Sequence, residues 1–330
     1  MNKVYGIILC LMITIVSFFL GKAFPIVGGA VFAILIGILL KNTVNINEKF
    51  DVGINFCAKE VLKISIVFLG GGLNLIEIFK IGKQSIVIML GTLAFALIAA
   101  YIFGKLLKID NKMTALIGVG TSICGGSAIA AISGIIGSKK DEISFAISTI
   151  FLYNIIAVII FPIIGRLLNM SDIGFGVFAG TAVNDTSSVV ATASVFGLTS
   201  LNYATVTKLA RTTMIVPISL AFAFIVSLKN KNNSKYSFVK TFPWFIIYFL
   251  LMSLVNTFIG KYNILFLSDF PRICSFIGKT LIILALAGVG LGTSMKTFKK
   301  IGYKPVLLGL ILWIVVTITS IILQKMSGLL

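Results

Sequence analysis

Apolar runs of membrane length follow one another along the whole chain, separated by short polar breaks. A helix needs about 20 apolar residues to cross a bilayer core. The runs at 4–21, 25–40, 58–79, 84–107, 113–137, 143–166, 173–197, 203–228, 237–259, 272–298 and 304–325 approach that length. They predict an all-α polytopic membrane protein of about 11 transmembrane helices. Only 41–57 and 229–236 are appreciably polar. The segment 260–271, ending Asp269-Phe270-Pro271, is a third connection with room for a short interfacial helix. The first run resembles a signal peptide, but Gly21-Lys22-Ala23-Phe24-Pro25 is a poor cleavage site, so a retained helix is expected.

Several runs carry interruptions that a helix crossing lipid does not need. The stretch 112–140 reads KMTALIGVGTSICGGSAIAAISGIIGSKK, with Gly120, Gly125 and Gly126 at its centre. Each interior glycine costs about 1 kcal/mol of helix relative to alanine. Backbone groups freed by a break at membrane depth are tolerated only when buried in protein or lining a polar cavity. Thr121, Ser122, Cys124, Gly125, Gly126 and Ser127 are therefore candidate substrate-lining residues. Close small-residue packing is the competing explanation. A break there would present the positive end of the following half-helix, which suits an anion.

Three further stretches stand out. Asn184-Asp185-Thr186-Ser187-Ser188 lies inside an apolar run, and Asp185 is the one carboxylate near the middle of any run. An ionisable residue at that depth points to function, here a proton or sodium site; capping of a broken helix is the structural alternative. Lys208 and Arg211 stand three residues apart on one helical face, placed either to snorkel or to face a cavity, where they would bind an anion or neutralise Asp185. Gly290, Gly292, Thr293 and Ser294, in Gly288–Ser294, form a second glycine-hydroxyl cluster, and Gly70-Gly71-Gly72 with Asn74 a third. Pro162 and Pro217 are expected to kink their helices.

Composition narrows the picture. The 330 residues are 58% hydrophobic and 12% charged, with a mean hydropathy of +1.10, so one membrane domain spans 1–330 without a soluble catalytic module. The net charge is +18. With the N-terminus cytoplasmic, alternate loops carry 17 cationic residues inside and 8 outside, which follows the positive-inside rule and puts the C-terminus outside. Lysines scattered over short loops exclude nucleic acid as a partner. The four cysteines lack metal or redox spacing, and there is no histidine and no P-loop pattern. A cofactor is not expected, nor is an enzyme; Na+ or H+ is the candidate coupling ion.

The chain also carries faint internal matches. Gly120–Ala131 aligns with Gly180–Ala191 at an offset of sixty, which the span count makes parallel. Gly70–Gly82 aligns with Gly290–Gly302 in opposite sense. An inverted plan would comprise an extra N-terminal helix (1–24), a first five-helix repeat (25–168) and a second (173–325), with 113–137 and 272–298 as broken crossing helices.

The motifs GTSICGGSAIAA (120–131), GTAVNDTSSVVA (180–191), VTKLARTTMIVP (206–217) and GVGLGTSMKTFKKIGYKPVLLG (288–309) resemble those of the YeiH-type family of bacterial inner-membrane proteins, nominally sulfate exporters. Where that family has His followed by an acid, this chain has Asn184-Asp185. The resemblance implies a bile-acid/sodium-symporter type of fold and transport of sulfate or a sulfonated compound. The residues alone point to a secondary transporter of a small anion in the cytoplasmic membrane, free to form a homo-oligomer. A channel or a membrane-embedded ligand sensor is the alternative.

Overall fold

The computed structural model describes residues 2–24, 29–44, 46–229, 244–262, 269–293 and 302–329, and no strand occurs among them. In chain order the helices are α1 (Asn2–Ala23), α2 (Gly29–Thr43), α3 (Asp51–Phe56), α4 (Leu62–Gly71), α5 (Leu75–Leu106), α6 (Asn111–Ser122), α7 (Gly126–Ile136), α8 (Lys140–Leu167), α9 (Asp172–Ala182), α10 (Thr186–Ser194), α11 (Leu198–Thr213), α12 (Ile215–Lys229), α13 (Phe245–Lys261), α14 (Phe270–Leu291) and α15 (Tyr303–Met326). A π-turn, Cys57–Val61, joins α3 to α4. Six stretches among the described residues are long and apolar enough to cross a membrane, including the joined pair α11–α12.

Two compact units divide the chain: Met1–Ile81, Val190–Asn202 and Trp244–Lys296 form one, and Gly82–Val189, Tyr203–Pro243 and Thr297–Leu330 the other.

In the first unit α14 packs against α2 and α4. Within Gly288–Ser294, the stretch expected to be broken, α14 ends at Leu291 with Gly292 as its C-cap, whereas Gly288 and Gly290 lie inside the helix. These glycines admit neighbouring backbones instead. A Cβ on Gly288 would sit 2.8 Å from Ala58 N, and one on Gly290 2.3 Å from Ile34 O. The glycine triad does end a helix. α4 stops at Gly71, and Asn74 then caps α5 reciprocally: Glu77 N–H donates to Asn74 Oδ1 (2.8 Å) and Asn74 N–H to Glu77 Oε2 (3.0 Å).

The second unit departs furthest from the expected topology. α6 and α7 do not form one crossing. Lys112 Nζ donates to Gly137 O at 2.8 Å, whereas a straight helix would hold those residues about 37 Å apart. The pair is a re-entrant hairpin with its tip at Ile123–Gly125. Gly125 makes the reversal with φ +70°, a conformation closed to most side chains.

α15 shows which end each helix enters from. Near its start, Leu308 and Leu312 pack with Met113, Leu116 and Ile117 of α6. Towards its end, the hydroxyls of Ser320 and Thr181 (α9) lie 2.7 Å apart, and Gly174 abuts Leu329. α6 and α9 thus enter from opposite ends, so the two motifs matched at an offset of sixty are inverted rather than parallel.

The α9–α10 break is a second hairpin. Ile215 and Ile218 of α12 pack with Ile132 and Ile135 of α7, so α12 leaves towards α7's outer end and α11 starts at the opposite one. Only Val195–Gly197 link α10 to α11, a reach of about 14 Å. If α10 ran on past the break, those helix ends would lie about 28 Å apart. The proline effect also differs from expectation. Pro217 lacks an N–H and crowds the carbonyl four residues earlier; that residue is Thr213, where α11 stops.

The apolar runs 113–137 and 173–197 are thus each interrupted, between Ser122 and Gly126 and between Ala182 and Thr186. The expected outcome of cysteine labelling in intact cells is that Asn111→Cys and Lys139→Cys react from one face, and Asn169→Cys and Thr199→Cys both from the other. The four native cysteines are buried and contribute little background. Labelling of 111 and 139 from opposite faces would exclude the first hairpin.

Candidate functional site

A helix ends with four backbone carbonyls that lack intrahelical partners. α6 and α9 both end at hairpin tips inside the unit, where water is scarce and each unpaired carbonyl costs about 1–3 kcal/mol. Two side chains of α11 meet them. Lys208 Nζ donates to Ile123 O (2.8 Å) and to Val183 O (3.0 Å). Arg211 donates through Nε to Ser122 O, through Nη1 to Thr181 O, and through Nη2 to Thr121 O (3.1 Å). Both side chains are 0% exposed. The i,i+3 spacing that puts them on one helical face lets one helix hold both tips.

The beginnings of the next half-helices are treated differently. Asp185 Oδ2 accepts from Ser187 N–H (2.9 Å) and from the Ser187 hydroxyl, capping α10. Asn154 Oδ1, from the middle of α8, accepts the Asn184 and Asp185 N–H groups at 3.1 and 3.3 Å. α7 has no side-chain cap. Its first residues, Gly126 and Ser127, are half-buried and exposed, and Asp185 and Thr186 beside them are half-buried. A Cβ on Gly125 would lie 3.4 Å from Asp185 Cβ, so the two tips touch there. Cys124 is buried between Lys208 and Asp185, within reach of both charges. Thr121 Oγ1, Asn154 Nδ2 and Asn184 Oδ1 are buried without a hydrogen-bond partner.

The structure gathers Thr121, Ser122, Cys124, Gly125, Gly126, Ser127, Asn184, Asp185, Thr186, Ser187, Lys208 and Arg211 around the two tips. Two expectations need correcting. Lys208 and Arg211 do not extend to a bilayer surface; both are fully buried and donate to backbone carbonyls. Asp185 is not their ion-pair partner; it serves as a helix cap. Gly290, Gly292 and Thr293 belong to the other unit, at the end of α14, where the Thr293 carbonyl accepts from Asn42 Nδ2 at 3.1 Å. Ser294 lies outside the described residues. Asn154 was not anticipated, although a single amide in the apolar run Phe151-Leu152-Tyr153-Asn154-Ile155-Ile156 was a usable signal.

A family model described as conserved hypothetical protein 698 matches residues 5–325. The chain belongs to this family. It is 45% identical to a UPF0324 membrane protein of Fusobacterium nucleatum, an alignment covering 99% of each chain. Against a UPF0324 membrane protein of Streptococcus pneumoniae it is 41% identical over 98% of this chain and 97% of the relative. Against one from Streptococcus pyogenes serotype M3 it is 40% identical over 100% and 98%. With its apolar helices, this family member is a helical membrane protein.

Removing Arg211 would strand three carbonyls, so Arg211→Met should cost about 3–5 kcal/mol, the range for breaking a buried charged network. Asp185→Asn should cost only about 1 kcal/mol, as expected for weakening a cap. Because Asp185 and Lys208 do not pair, Asp185→Asn with Lys208→Gln should show additive losses in thermal unfolding in detergent. Recovery of stability in the double variant would restore the ion-pair view.

Proposed function

We propose that this protein is a secondary transporter that moves a small anion, sulfate or sulfonate-like, across the bacterial cytoplasmic membrane by alternating access. One observation carries the reading. The negative ends of α6 and α9 are neutralised by Lys208 and Arg211, while the positive end of α7 at Gly126 and Ser127 is uncapped and accessible. A helix N-terminus carries roughly half a positive charge and free N–H donors. With the two cations committed to carbonyls and Asp185 to the α10 cap, the uncapped α7 terminus is the positive end left for an anion. The buried Asn154 amide offers a further donor, and Ser127 and Thr186 offer hydroxyls. The likeness of 120–131, 180–191, 206–217 and 288–309 to the YeiH-type motifs supports sulfate-like cargo.

Proteoliposomes should take up one or more of sulfate, sulfite, thiosulfate, taurine or a small carboxylate. Gly126→Asp is the decisive variant. A Cβ at Gly126 meets nothing within 4 Å, and a carboxylate in the first turn of α7 stabilises the helix while occupying the anion's place. Uptake should fall at least about tenfold, a loss of some 1.4 kcal/mol of binding, with thermal unfolding unchanged or raised. Gly126→Ala should retain uptake. Wild-type uptake by Gly126→Asp would remove the α7 terminus as the site. Ligand binding without flux would make the protein a sensor, and conductance beyond carrier rates a channel.

A further inference from the structure

Carbonyl oxygens at the negative ends of half-helices are donors suited to a hard cation, and broken-helix carriers use them to hold coupling ions. Here the position between the α6 and α9 ends is taken by a side chain. We propose that the Lys208 ammonium stands in the place of an alkali coupling cation, permanently tethered, so that the two hairpin tips are held together without an inorganic ion.

The geometry is that of a bridging cation. Nζ contacts one carbonyl from each tip, Ile123 O at 2.8 Å and Val183 O at 3.0 Å. Asp185 directs its hydrogen bonds to Ser187 instead. The charge Lys208 neutralises is therefore that of the helix ends, as for a bound ion. Full burial removes water as the alternative partner. The other charged or titratable groups facing it are Arg211 on its own helix, Cys124 at the first tip and Asp185 at the second. Arg211 bonds three carbonyls through a planar fork that no spherical ion reproduces, whereas an ammonium is a compact point charge. The consequence for coupling, that anion movement is not driven by sodium, rests on the transporter reading; the consequence for stability does not.

The test is thermal unfolding of the purified full-length protein at constant ionic strength in Na+, Li+, K+ or N-methylglucamine chloride. The wild type should unfold at indistinguishable temperatures in all four. Lys208→Ala should unfold lower in N-methylglucamine and recover at least half of that loss in saturating Na+ or Li+, as a ligand-stabilised fold does. Lys208→Met, unbranched, uncharged and one atom shorter, should be destabilised and cation-blind, since its apolar side chain takes up the space an ion would need. If Lys208→Ala does not fold, Lys208→Ser, whose short side chain also leaves the position open, replaces it with the same two outcomes. Selective stabilisation of the wild type by Na+, a cation-blind Lys208→Ala, or a Lys208→Met as stable as wild type would each overturn the inference. Sodium-driven anion uptake by the wild type would overturn it and uphold the transporter. No uptake at all, with a cation-dependent Lys208→Ala, would remove the transporter and leave the inference standing.

Discussion

Five backbone carbonyls at two hairpin tips, answered by two cations on one helix, set the constraint on which the second unit depends. A chain that turns around within a membrane protein must supply partners for the backbone it exposes. Helix-end carbonyls can be met by water, hydroxyls or metal ions; this sequence meets them with Lys208 and Arg211. The cost of burying two like charges is offset by charge-assisted hydrogen bonds and by the negative ends of α6 and α9. That solution dictates the rest of the site. With both negative ends neutralised, the positive ends of α7 and α10 are left to act, and only α10 has its own cap.

Glycine plays two separate parts in this molecule. At Gly125 it makes a reversal with positive φ and lets one tip approach the other at Asp185. At Gly288 and Gly290 it thins the last turn of α14 so that α2 and the π-turn can pack against it. The same residue type, in similarly spaced motifs, thus breaks one helix and packs another. What distinguishes them is the neighbour: Gly125 and Gly126 are the cap and first residue of a half-helix whose start is open, whereas Gly288 and Gly290 lie against a neighbouring chain segment.

Much of the site could be read from the chain. The density of glycine and hydroxyl residues at 120–127 and the lone carboxylate at Asp185 marked both tips, because a polar group at membrane depth needs a reason. The all-helical class followed from hydropathy. The hairpins did not, because an apolar stretch of 25 residues has the same composition whether it crosses or turns back. Distinguishing the two needs the contact between Lys112 and Gly137. The partners of Lys208 and Arg211 were hidden for a related reason: they are main-chain oxygens, 25–90 residues away in sequence, and any residue type supplies one. Asn154 was legible and overlooked, being a single amide among bulky apolar residues.

The placement of both cations on α11 has a mechanical consequence. Lys208 and Arg211 each reach both tips, so neither hairpin can slide or tilt alone without stripping carbonyls of these donors. The pair of tips and the middle of α11 form a locked keystone. Any motion that turns the open end of α7 from one side towards the other must carry that keystone whole, as one piece of cargo, with flexing confined to the connections around it.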